Sequence, residues 1–142
     1  MTAAVLGAEL TFAEAHGTGT SLGDPIEAGS LRATMLTARS LETSTAALAS
    51  WKANAGHAES AAGIAGLLQL LLSIRRSSAP PNAQLRALNP LVQSALGSSA
   101  CALAVQMDSP SLGRLGGVSS FGFSGSIAHA VLRVDKTDLA SH

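Results

Sequence analysis

The run Glu14-Ala15-His16-Gly17-Thr18-Gly19-Thr20-Ser21-Leu22-Gly23-Asp24-Pro25-Ile26-Glu27-Ala28 joins an extended segment to a helix through a glycine-rich turn. Upstream, Ala8 to Ala15 reads as a short strand, with Leu10 and Phe12 on one side and Glu9 and Thr11 offset from them. Gly17 and Gly19 permit backbone turns that other residues resist. Asp24 is placed as an N-cap, Pro25 at the first helical position and Glu27 as the capping-box partner. The helix is expected to continue through Leu31, Met35 and Leu36 toward Ala38.

A second unit of the same kind follows. Ala46 to Trp51 reads as a strand, and Lys52-Ala53-Asn54-Ala55-Gly56-His57 as the loop at its end. From Glu59 or Ser60 a helix is expected to about Arg76, with Arg75 and Arg76 favourable to its dipole. Ile64, Leu67, Leu68, Leu71 and Leu72 form a stripe read as core, and Ala62, Gly63, Ala65, Gly66 and Gln69 form a nearly side-chain-free face. That helix is expected to be buried almost all round. Pro80-Pro81 should stop it, and Ala83 to Ser99 reads as irregular. Ala100 to Met107 reads as a strand and Pro110 to Gly117 as loop. Val118 to Phe121 extends into Gly122-Phe123-Ser124-Gly125-Ser126, Ala128 to Val134 reads as a final strand, and the tail after Asp135 as frayed. Strands interleaved with helices make the chain α/β.

At 142 residues the chain is one domain at most. Charged residues make up 13%, about half the usual share, and nine basic side chains cancel nine acidic ones. No basic excess exists to hold nucleic acid or an anionic membrane surface. Hydrophobic content of 46% at zero net charge is the opposite of the disordered signature. With 27 Ala, 14 Gly and 19 Ser, the chain has too few charges to clothe its own surface, so it is expected to pack against a larger body. A single cysteine, Cys101, excludes an internal disulfide and a cysteine-based zinc site. Met1 to Leu10 has no signal-peptide pattern, and the most apolar run, Ala61 to Ile74, is too short for a membrane span. A cytoplasmic location is expected.

Each of three strand ends thus carries a polar or reactive loop: His16, Lys52 with His57, and Phe123 between glycines. Loops at strand ends are where open α/β sheets collect ligands and catalytic groups. Two histidines and a lysine could donate to a developing oxyanion or enolate. Taken singly, each histidine is more readily a turn residue bonded to backbone. The loop from Gly17 to Gly23 could cradle phosphate at a helix N-terminus, but the lysine of a phosphate loop is missing. Lys52 could pair with Glu59. His16 and His57 lack a third metal ligand at recognisable spacing. Cys101, between Ala100 and Ala102 in a strand, has no source of a low pKa and reads as core. His129 reads as structural.

At these residues the sequence resembles a known family. Glu14-Ala15-His16-Gly17-Thr18-Gly19-Thr20 with Gly23-Asp24-Pro25-Ile26-Glu27-Ala28 is similar to the C-terminal half of β-ketoacyl synthases, most of all the ketosynthase domains of type I polyketide synthases. Lys52 to Glu59 with Ala61 to Leu67 resembles that family's second histidine motif, and Gly117 to Gly125 with Ala128-His129 its closing glycine-rich loop. The resemblance runs from about residue 9 to 134. It implies the C-terminal half only of a thiolase-like fold over residues 1–134, a mixed sheet with a buried helix, the small-residue helix after Glu59 lying in the middle layer of a five-layered body, and a tail over 135–142. It implies decarboxylative Claisen condensation of acyl and malonyl thioesters in polyketide or fatty acid biosynthesis.

By that resemblance His16 and His57 assist decarboxylation, Lys52 orders the site, and Phe123 with Gly122 and Gly125 forms a gating and oxyanion loop. Thr18, Thr20, Asp24, Asn54 and Glu59 support them. No metal or other cofactor is implied, since substrates ride on the phosphopantetheine of an acyl carrier protein. The implied partners are that carrier, an N-terminal half bearing the nucleophilic cysteine, and a second copy in a homodimer. Ala53 replaces the family's usual serine, and Ser126-Ile127 its usual Thr-Asn. Ile127 removes amide hydrogen bonds from the last loop, which favours the alternative of a non-catalytic ketosynthase-like scaffold. Cys101 lies in the wrong place to be the family nucleophile.

Overall fold

The computed structural model describes residues 10–36, 45–106 and 113–134. Ala8 and Glu9 of the first expected strand, the approach to Ala38, Met107 to Leu112 and the tail lie outside them. The strands are Phe12–Glu14 (β1), Ala46–Ala49 (β2), Cys101–Ala102 (β3), Leu115–Phe121 (β4) and Ile127–Arg133 (β5). They form one sheet in the order β3-β2-β1-β4-β5. β1 is parallel to β2 and β4, β3 is parallel to β2, and β5 returns antiparallel to β4. The mixed α/β sheet agrees with the expected class. Because parallel strands end at the same rim, β1, β2 and β4 deliver the three loops to one edge.

The helices are Gly23–Leu31 (α1), a one-turn helix Lys52–Ala55 (α2), Ala62–Arg76 (α3) and Pro90–Leu96 (α4). On one face, Leu31, Met35 and Leu96 pack with Leu10, Ala13, Leu48 and Leu115. On the other, Leu70 and Ile74 of α3 pack with Phe12, Ala47, Ala49 and Val118. Phe12 and Leu70 are wholly buried, and burial of such a side chain contributes about 1.5–3 kcal/mol each. Leu10 and Phe12 belong to opposite faces, not to one. Leu10 precedes β1, so the strict alternation that starts at Phe12 does not govern it.

Several boundaries differ from expectation. Asp24, Pro25 and Glu27 do not start α1 as a capping box: the helix begins at Gly23 after Leu22, with no side-chain cap from Leu22. Thr20 Oγ1 instead accepts the Gly23 N–H (3.1 Å). Beyond Leu31 the backbone widens to a π-helical turn over Arg32–Leu36. Lys52 opens a helical turn rather than a loop. α3 stops at Ser77, in the left-handed region, before Pro80 is reached. The segment 83–99 is not wholly irregular: Asn89 caps α4 by accepting the Leu91 N–H, Pro90 occupies its first turn, and Gly97 at positive φ ends it. The strand expected from Ala100 to Met107 is two residues long, and β4 already begins at Leu115.

The orientation of α3 is the main correction. The row Ala62, Gly66, Leu70, Ser73 and Ile74 is buried against the sheet, not the row Ile64, Leu68 and Leu72. A Cβ on Gly63 would lie 3.2 Å from Ser120 Oγ, and one on Gly66 would lie 3.4 Å from Val118 Cγ2. The missing side chains let the helix backbone come close to β4. Ile64, Leu68 and Leu72 are left 56, 54 and 46% exposed, so the helix is buried on one side only. Such a row of exposed aliphatics fits a surface covered by further protein.

Candidate functional site

Two buried carboxylates, Glu14 and Glu27, organise the rim from below. At the end of β1 the chain turns at Gly17 (φ +47°) and Gly19 (φ +76°), leaving several N–H groups without ladder partners. Glu27 of α1 takes two of them: Oε1 accepts from His16 N–H (2.7 Å) and Oε2 from Gly17 N–H (2.9 Å). Asp24 Oδ1 accepts the third, from Gly19 (3.2 Å). The loop therefore spends its amides on carboxylates of its own helix, and a phosphate cradle is not what it forms. Burial pushes the Glu27 carboxyl up, and the two backbone donors oppose that.

Gly17 is required where it stands. A Cβ there would sit 2.7 Å from Ser50 Cβ in a left-handed backbone. Gly17→Ala is expected to cost about 1–3 kcal/mol, read as a lowered midpoint in chemical denaturation, whereas Gly19→Ala meets no atom within 4 Å and should show the smaller, backbone-only loss.

His16 is 8% exposed. Its ring lies edge-on to His57, with centroids 5.8 Å apart and planes at 89°. On another side it packs against Phe121 at 5.6 Å. Burial first, then the charges of Lys52 and His57, pull its pKa below the ordinary imidazole value. The shift favours the neutral ring, whose Nδ1 is buried without a hydrogen-bond partner among the described residues. His57 is held differently: its Nδ1 accepts the Glu59 N–H (2.8 Å). That bond puts the proton of the neutral ring on Nε2. Glu59 itself adopts φ +47°, a backbone state a glutamate enters at a cost.

The turn bearing Lys52 and His57 is pinned from two sides. Trp51 N–H donates to Glu14 Oε1 (2.7 Å). Asn54 donates to Pro81 O (2.8 Å) and accepts the Ala83 N–H (3.2 Å). Asn82, which no sequence motif marks, is the buried latch beneath: it accepts from Ser50 N–H and donates to Leu48 O and Ala104 O. Lys52 is half-buried, with its Nζ 5.7 Å from the centre of the Trp51 ring. Burial lowers its pKa, and Glu14 and Glu27 oppose the fall; those carboxyls, not Glu59, are its electrostatic neighbours.

A cleft of about 530 Å³ opens beside these loops, bordered by Thr18, Asp24, Lys52 and His57 and running toward Leu85 and Val92. Thr18 lines it, with its hydroxyl 3.5 Å from that of the exposed Thr20. Phe123 is not part of this cluster. It is fully exposed at the tip of the β4–β5 hairpin, and the ring that touches His16 is that of Phe121. Gly122 and Gly125 close the hairpin: Gly125 N–H donates to Gly122 O and Gly122 N–H to Ser126 O. Ile127 is 71% exposed, and the turn is held by these backbone bonds. His129 is paired across the strands with Ser119, whose Oγ lies 3.0 Å from Nδ1. Cys101 is half-buried in β3, and burial raises its thiol. Among the described residues no three His, Cys, Asp or Glu groups converge to hold a metal ion. No helix among them is long and apolar enough to cross a membrane.

Known proteins resemble this chain in sequence and fold. Residues 1–86 match the family described as beta-ketoacyl synthase, C-terminal domain. The chain is 40% identical over 132 residues to erythronolide synthase EryA3 of Saccharopolyspora erythraea, covering 92% of this chain and 4% of that protein. It is 43% identical over 138 residues to polyketide synthase ThaG of Burkholderia thailandensis, covering 96% and 2%. Among solved structures, the ketosynthase from module 6 of the bacillaene synthase of Bacillus subtilis 168 superposes with a TM-score of 0.81 at 29% identity, over 93% of this chain and 24% of that one. The oxazolomycin ketosynthase domain OzmH KS7 of Streptomyces albus JA3453 gives 0.77 at 35% identity, over 91% and 23%. The chain spans a small part of these relatives, and its sheet is that of the ketosynthase, thiolase-like fold. With both histidine loops inside a match that takes in more than half of its residues, the chain belongs to the β-ketoacyl synthase C-terminal domain family.

Proposed function

We propose that this chain is the histidine-bearing half of a condensing site that joins acyl and malonyl thioesters, the malonyl group arriving on an acyl carrier protein. The observation that supports this best is the edge-on pair His16 and His57, ring centroids 5.8 Å apart, with His57 lining the cleft and its Nδ1 occupied so that Nε2–H is left to donate. In the proposed reaction the bond between the malonyl Cα and its carboxylate breaks and CO2 leaves. The electron pair passes into the enolate, whose charge gathers on the thioester oxygen. N–H donors aimed at that oxygen stabilise it with no further proton needed. The enolate carbon then attacks an acyl thioester held on a cysteine of the N-terminal half; a C–C bond forms, the C–S bond breaks, and the thiolate leaves.

Lys52 supplies a half-buried positive charge beside the cleft, and Thr18, which lines it, is available to an incoming thioester arm. The exposed aliphatics of α3 and of the β4–β5 hairpin are the surfaces that the cysteine-bearing half or a second copy would cover. The scaffold reading rests on Ile127, which replaces an amide in the last loop. The chain paired with a cysteine-bearing half and given acyl and malonyl carrier thioesters separates the two: a β-ketoacyl product in the mass spectrum supports condensation, and an assembled but inert pair supports the scaffold.

A further inference from the structure

Glu14 is the buried titratable group that the proposed chemistry does not use. It is the last residue of β1 and 1% exposed. One carboxyl oxygen accepts the Trp51 N–H at 2.7 Å; the other, Oε2, is buried without a partner among the described residues. Its Cγ lies 3.6 Å from where a Gly66 Cβ would project, with Trp51 Cδ1 at 3.8 Å from the same point. The missing side chain on α3 thus makes the slot in which the carboxyl and the indole sit. Two residues further along the chain is His16, and one residue beyond Trp51 is Lys52.

We propose that Glu14 is a positioning residue for the condensing site, tying the turn that carries Lys52 and His57 to the strand that carries His16. The inference rests on the reading of those loops given under the proposed function. A bond from a buried side chain to the backbone of the neighbouring loop sets the register of the two loops in a way that packing of alanines and glycines does not. The charged groups acting on Glu14 are Lys52, on the turn after β2, and Glu27, on α1. Gly66 of α3 and Val118 of β4, which close the slot, carry none. Burial outweighs the Trp51 bond and Lys52 and raises the Glu14 carboxyl to about 8, so near neutral pH it holds the turn as a neutral acid. Above that point it becomes an anion facing Lys52, and the turn experiences a different field.

The test uses Glu14→Ala and Glu14→Gln in the chain assembled with a cysteine-bearing half, with malonyl-thioester decarboxylation and the Trp51 amide resonance as readouts. Alanine removes the acceptor and is expected to lower kcat by about 10- to 100-fold with KM little changed. Glutamine keeps a neutral acceptor and should restore most of the loss at pH 7. The Trp51 amide shift should titrate with a midpoint about 8 in the parent and not in Glu14→Gln, and the alkaline bend of kcat should differ between them in the same way. Equal kcat in all three proteins, or a Trp51 amide that ignores both pH and substitution, overturns the inference. If the parent assembly releases no CO2, the condensing reading fails while the amide titration still decides the role of Glu14.

Discussion

His16→Ala is expected to lower the rate of malonyl-thioester decarboxylation by about 10²–10³-fold in the assembled ketosynthase. Its backbone place does not depend on the ring, because the His16 N–H is held by Glu27 Oε1 at 2.7 Å. Alanine therefore removes the imidazole and leaves the loop. The ring is drawn below its ordinary pKa by burial and by the neighbouring positive charges, so in the parent it takes up its proton at lower pH than an ordinary imidazole. Activity lost through His16 protonation should accordingly appear on the acid side of 6.5, not at it. His57→Ala removes the second donor and should fall in the same range, although its anchor differs: the Glu59 N–H then loses its Nδ1 acceptor. Wild-type rates in both variants would leave the two rings as packing residues.

The second large effect is an absence of reaction. The chain alone is expected to take up no acyl group from an acyl thioester, as judged by intact-protein mass spectrometry. Cys101 pairs with Ala46, the first residue of β2, whereas Lys52 and His57 follow the last. Burial raises its thiol above the ordinary value, which lowers the thiolate fraction at neutral pH. Among the described residues neither a helix terminus nor a base activates it. An acyl adduct on Cys101 formed at a rate comparable to that of an active synthase would contradict the division of labour between two halves.

Both histidine loops are legible in the sequence because their signals are local: an apolar strand, a glycine-bearing turn with a histidine, then a helix start. Glu27 is not legible in the same way. Its spacing from Asp24 fits a capping box, and its actual partners, His16 and Gly17, are known only once the strand end and the helix are in one place. Glu14 and Asn82 are hidden for a similar reason, since each bonds to backbone on an element far along the chain. In α3, periodicity reveals two faces but cannot say which one the sheet takes. Gly63 and Gly66 decide that by allowing the closer approach, and Ile64, Leu68 and Leu72 face away. The short helix after Asn89-Pro90 has clear start and stop residues, yet its seven residues make about two turns, too few for an apolar period to show. Phe123 is placed by whatever packs on the hairpin, which its neighbours in sequence do not encode.

The central claim is that two neutral imidazoles of this chain present N–H groups to one thioester oxygen. It is tested most directly by the 15N spectrum of the histidine rings in the assembled ketosynthase, recorded with and without a malonyl-thioester analogue that cannot lose CO2. The account predicts His57 protonated at Nε2 before the analogue is added, and shifts at a ring N–H of both His16 and His57 afterwards. A His57 ring protonated at Nδ1, or rings that do not respond to the analogue, would contradict it.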